Sequence, residues 1–191
     1  MHRNGHVGIT LLCYAPVLLV IGTRAEWLLP AAVVAAVLLA DLLLPVRLLV
    51  RGATGRRSSV SFSPAMLPDL DMRLPMVTHR GITHTVWFAV LTAAVAGAIG
   101  YQAGRMVGST LFAGVASPGL LGAAFCGYLG LHAVLTHLLG DVLTPAGIRP
   151  FSPLVERSFS LGLVRAANRP ANLGLYAAGI LSVGAATVVV I

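Results

Sequence analysis

The 191-residue chain is 57% hydrophobic and only 10% charged, with a mean hydropathy of +0.89. Soluble domains carry about 25% charged residues, so this composition excludes an ordinary water-soluble globule and points to a polytopic membrane protein. The net charge is +7 and all 13 basic residues are arginine. Because the arginines lie in loops between apolar runs, their nearest partners are anionic lipid headgroups rather than nucleic acid.

Five apolar stretches, in chain order, predict an all-α bundle of about five transmembrane helices forming one domain over residues 1–191. The first spans about residues 7–22; no small-residue cleavage site follows it, so it reads as a retained helix rather than a signal peptide. The second spans about 27–50 and is broken near its end by Pro45. The third spans about 84–103, and residues 106–116 beyond it are too short to cross alone and read as a re-entrant or interfacial piece. The fourth spans about 120–139 after a Ser117-Pro118-Gly119 turn, and the fifth spans about 173–191. The arginine run from Arg47 to Arg57 reads as a basic lipid anchor, with Gly52, Gly55, Ser58 and Ser59 suggesting a mobile loop. Cys13 and Cys126 sit inside apolar runs and read as packing residues.

With five crossings, the N-terminus and the loops 45–83 and 140–172 share one side, which carries eleven arginines against two on the other. The bias places that side in the cytoplasm and the C-terminus outside. All six histidines and all four aspartates fall on that side or in the adjoining half of the membrane. Ionisable groups near hydrocarbon are costly and usually paired or functional, so their gathering marks a candidate site.

Three segments carry it. M-H-R-N-G-H puts His6 at the mouth of the first helix; L-P-D-L-D and T-H-R-G-I-T-H lead into the third; H-L-L-G-D-V-L-T-P-A-G ends the fourth. His137 and Asp141 are four residues apart and share a helix face, whereas His132 is turned away. Imidazole with carboxylate and no cysteine is the donor set of catalytic divalent-metal sites, zinc above all. A bound metal lowers the pKa of its water to about 7, and a two-ion site suits phosphoester cleavage. Arg80 or Arg149 would hold a phosphate oxygen, and Asp69 could act as general base. Bland readings stand beside these. Asp69 and Asp71 could form turns after Pro68, Asp141 could cap a loop through Thr144, Asp41 could pair with Arg47, and His2 and His132 could be interfacial hydrogen-bonding residues.

Taken together, L-P-D-L-D, H-R-G-I-T-H-T and H-L-L-G-D-V-L-T-P-A-G resemble the YdjM-like family of inner-membrane metal-dependent hydrolases. Thr85 stands where that family usually has serine, and the stretch before P-D-L-D is longer than usual. The resemblance implies metal ligation by His6, Asp71, His84, His137 and Asp141. It implies that Asp69 and His79 are supporting or additional ligands, and that Arg80 orients a ligand or contacts an anionic substrate. In ligand order alone the chain is also similar to zinc-dependent bacterial phospholipases C. It has no histidine after His137 and only Glu156 as a later glutamate, so their three-metal site is not expected. The expected function is a membrane hydrolase holding one or two divalent ions, zinc by preference. It would act on a phosphoester or lipid-type substrate among membrane lipids, with no nucleic-acid partner. The alternative is a non-enzymatic metal-binding or transporter-like membrane protein.

Overall fold

A computed structural model describes residues 1–23, 37–38, 48–51, 57–60, 63–73, 78–111 and 115–190. Four long helices lie among them: α1 (Arg3–Gly22), α2 (Val86–Leu111), α3 (Pro118–Val142) and α4 (Arg169–Val190). Each holds a stretch long and apolar enough to cross a bilayer, with mean hydropathies from 1.5 to 2.0. The protein is therefore a multi-pass membrane protein built as a helical bundle.

α1 starts before the apolar run, because the amides of Gly5 and His6 bond back to the His2 carbonyl and draw R-N-G-H into its first turn. α2 also outruns its expected end. Residues 106–111 continue the helix instead of forming a separate interfacial piece. Gly104 and Gly108 let this last part lie directly on Pro118 of α3, where any side chain at either glycine would collide.

The predicted second span, with Asp41 and Arg47, lies mostly outside the described residues. Its tail does not: Leu48–Arg51 is strand β1, antiparallel to β2 (Arg57–Val60), with Leu48 opposite Val60 and Arg51 opposite Arg57. This corrects both the expected helix end and the expected loop. Beyond Pro45 the valine-containing runs L-L-V-R and R-S-S-V suit extended pairing across the glycine-bearing connection.

Packing fixes the helix directions. α1 and α4 run parallel: Gly8 lies on the backbone of Leu175 and Tyr176, and Gly22 reaches Val190. α2 and α3 form an antiparallel hairpin in which Gly100 and Gly122 face each other with no room for a Cβ on either. Such small-residue contacts substitute for the hydrophobic effect, which does not drive helix association inside lipid. α1 runs antiparallel to α3, with His6 against Gly140 and Thr10 against Thr136. The N-termini of α1, α2 and α4 and the C-terminus of α3 thus meet at one end of the bundle. The chain leaves α1 at the opposite end and is back at this one by Ala65, beside His137.

Leu11, Tyr14, Leu18, Val183 and Ala186 fill the seam of α1 and α4. Val90, Leu91, Val95 and Ile99 of α2, and Leu181, Val188 and Val189 of α4, point outward, as a lipid-facing surface requires. The segment after α3 folds onto the helix ends. Leu161 and Val164 donate to the Val142 and Leu143 carbonyls, Ile148 pairs with Phe159, and the Pro150 carbonyl accepts from Val86 at the start of α2.

Candidate metal centre

The converging helix ends enclose a knot of polar side chains in an apolar molecule. His6, His84, His137, Asp71 and Asp141 are all buried. α1 brings His6 and α3 brings His137 and Asp141, one turn apart on one face. Between them lies the connection before α2. Its 3-10 helix Pro68–Arg73 carries Asp69 and Asp71, and its 3-10 helix Ile82–His84 carries His84.

The histidine protons can be placed by their partners. His137 Nδ1 lies 2.7 Å from the Ala65 carbonyl oxygen; a carbonyl only accepts, so Nδ1 carries the hydrogen and Nε2 a bare lone pair. The Thr83 hydroxyl donates to Asp71 Oδ2 at 2.7 Å. Its oxygen is then free to accept from His84 Nδ1 at 3.0 Å, which leaves His84 Nε2 bare as well. Both Nε2 atoms are buried without a hydrogen-bond partner.

Those two lone pairs face carboxylate oxygens. His84 Nε2 is 3.4 Å from Asp69 Oδ1 and 3.5 Å from Asp141 Oδ2. His137 Nε2 is 3.4 Å and 3.6 Å from the same two atoms. These separations are too long for N–H···O bonds, which lie at about 2.7–3.2 Å. They match the ligand-to-ligand edges of a tetrahedron with bonds of about 2.1 Å, roughly 3.4 Å. Four acceptors turned on one another without an intervening proton are repulsive unless a cation lies among them. The donor set fits a divalent ion, and the clusters have the geometry of a metal-binding site. Their donor atoms fall within 4.8 Å of one another in three overlapping groups: His84, His137 and Asp141; His6, Asp69 and His137; and Asp69, His79 and His84.

His6 stacks flat on His137, ring centroids 3.8 Å apart, with its Nε2 3.7 Å from Asp141 Oδ1. Gly140 makes this approach possible, since a Cβ there would stand 2.6 Å from His6 Nδ1. Asp141 Oδ1 also meets Arg80 Nη2 at 3.1 Å and the Met1 α-ammonium at 3.0 Å.

Asp71 stands behind His84. Its carboxylate takes His79 Nδ1 at 3.0 Å, the Arg80 amide at 3.2 Å and the Thr83 hydroxyl. Asp69 thus faces the bare nitrogens, whereas Asp71 contacts His79, Arg80 and Thr83 on the far side of His84. Burial would push both carboxyls up. At Asp71 the bonds from His79 and Thr83 outweigh it, and that carboxyl stays below the usual carboxylate range. Arg80 ties the motifs together from a left-handed backbone, φ 63°, a strained conformation of the kind that collects at functional sites. Its Nη1 donates to the Gly147 carbonyl at 2.9 Å.

Among the other residues singled out, His132 lies deeper, bonded to Tyr128 and the Thr10 carbonyl, and does not join the cluster. Thr144 donates to the Asp141 carbonyl rather than being capped by its carboxylate. His2 is exposed. Three contributors were missed. Thr83 was within reach, as a hydroxyl one residue from His84 in a polar motif. Gly140 had a weaker signal, and the Ala65 carbonyl had none, because every residue carries one.

The sequence profile of the YdjM inner membrane proteins matches residues 1–191, the whole chain. The chain belongs to the YdjM inner membrane protein family. No curated relative and no solved structure matches it. Within this YdjM-family chain, all three motif segments deliver side chains to the one buried cluster, together with His6 from the N-terminal turn.

Proposed function

We propose that this protein is an integral-membrane, divalent-metal-dependent hydrolase with its centre at the cytoplasmic membrane face, acting on a phosphoester at headgroup depth. One observation carries the reading: two buried, unpartnered imidazole lone pairs and two carboxylate oxygens converge at 3.4–3.6 Å. Asp69, His84, His137 and Asp141 would hold a zinc-like ion, and His6 with Asp69 and His137 forms a donor group for a second. Such an ion supplies Lewis acidity and a water that ionises near neutral pH.

The protein's own groups do the rest. Asp71 and Thr83 hold His84 in the tautomer that leaves Nε2 bare, and the Ala65 carbonyl does the same for His137. Arg80 neutralises Asp141 Oδ1 and keeps its carboxylate oriented. His79, with Nδ1 against Asp71 and its ring partly exposed, is placed to take up and return a proton. The buried, lipid-embedded surroundings limit bulk water.

Elemental analysis of detergent-purified protein after metal reconstitution tests the reading. Wild type should hold about one equivalent or more, and His137→Ala and Asp141→Ala should hold little. Wild type below about 0.2 equivalents, or variants at full occupancy, would overturn it.

A second reading, metal binding or transport without hydrolysis, is favoured by a polar thread beneath the centre. Thr10 and Thr136 share a 2.8 Å bond, and His132 links Thr10 to Tyr128. That thread runs into the apolar cluster around Leu18 and Val183, which argues against a path to the far side. Metal uptake into liposomes separates the two readings.

A further inference from the structure

A cavity of about 350 Å³ adjoins the centre and is lined by His79, Arg80, Gly147, Arg149, Ser152 and Ser158, among others. It touches the centre through two shared residues: His79 bonds to Asp71, and Arg80 bonds to Asp141. Arg80 spends one N–H on the Gly147 carbonyl and one on Asp141 Oδ1. A guanidinium has five N–H donors, so donors remain where it lines the cavity. Arg149, which also lines the cavity, pairs through Nη1 with Glu156 Oε2 at 3.0 Å, and Ser152 donates to Glu156 Oε1 at 2.9 Å. Glu156 is thus a carboxylate held by two cavity residues in the way an external anion would be held. The Arg149–Glu156 pair is exposed on both sides, and exposed pairs contribute little to stability, so it is easily exchanged for a better ligand.

We infer that this cavity is the subsite for the phosphate group of the substrate, formed by Arg80 and Arg149, with Glu156 as an internal competitor for Arg149 and Ser152. The inference rests on the hydrolase reading and extends it by naming the bound group and the residues that select it. Two arginine guanidiniums and serine hydroxyls suit a tetrahedral oxyanion. The volume is within the range of small-ligand sites, which leaves room for part of the esterified group. A lipid headgroup and a soluble ester both offer this phosphate chemistry, and the two probes below separate these sources.

The test is binding of inorganic phosphate and of dihexanoyl phosphatidic acid to the full chain in detergent, before and after chelator treatment, for wild type, Arg149→Gln and Glu156→Gln. Metal content is measured on every sample. Arg149→Gln should weaken both probes about tenfold or more. Glu156→Gln should tighten them several-fold, an opposite sign that a purely structural ion pair would not produce. Phosphatidic acid binding at least about tenfold more tightly than phosphate assigns the lipid source, and equal or weaker binding assigns a soluble one. Absence of binding, or affinities that both substitutions leave unchanged, overturns the subsite. Charge-dependent binding by protein that never takes up metal would uphold the subsite while removing the hydrolase reading. Metal uptake without phosphate binding would do the reverse.

Discussion

At the scale of single residues, Asp69 and Asp71 are separated by one position and by a change of task. Asp69→Asn should remove a donor, whereas Asp71→Asn should leave every donor and lose only the orientation of His84. The expected cost of Asp71→Asn is about 10–100-fold in metal affinity, measured by chelator competition, with a larger cost for Asp69→Asn. Equal losses, or the opposite order, would return Asp71 to the role the motif resemblance implied. Asp71 also predicts an acid dependence. Its folded carboxyl lies below its ordinary range because His79 and Thr83 bonds outweigh burial. The unfolded chain therefore binds that proton more tightly. The contribution to stability is complete above about pH 4 and is lost as pH falls through the folded value. Denaturant titrations of wild type and Asp71→Asn should converge below pH 4, and a gap that ignores pH would refute the assignment.

The element scale explains what could be read in advance. The helices were legible because twenty-odd apolar residues in lipid have few alternatives to a helix. Their ends were not, since R-N-G-H and R-P-A-N join α1 and α4 through backbone bonds and neighbouring helices rather than through hydropathy. The clustered histidines and Asp141 were legible by residue type and by their gathering at one end of the helices. The different surroundings of Asp69 and Asp71 were not, because they depend on the rotation of one 3-10 turn against Thr83 and His79. β1 and β2 were hidden behind an arginine run that reads as a loop. Helix contacts supply a sharper test. Gly100→Val would drive a side chain into the Gly122 backbone of α3, which cannot yield. A loss of at least about 1–3 kcal/mol is expected in detergent unfolding. Gly184→Ala, with nothing within 4 Å, should be neutral or slightly stabilising.

For the whole molecule, the parallel pair α1/α4 and the antiparallel pairs α1/α3 and α2/α3 put every clustered histidine and aspartate at one end. We propose that this end is cytoplasmic, on the strength of the arginine distribution. In a background lacking Cys13 and Cys126, Ala116→Cys should react with an impermeant thiol reagent in intact cells. Leu154→Cys should react only after permeabilisation. The reverse pattern would invert the molecule and place the cavity and its arginines outside.

The donors come from positions 6, 69, 84, 137 and 141. A nascent chain therefore holds only part of the proposed donor set until Asp141 has left the ribosome and α3 has been inserted. Loading, on the proposed reading, would belong to a late stage of biogenesis, and a chain arrested before His137 would lack the last turns of α3, all of α4 and two of the four proposed ligands.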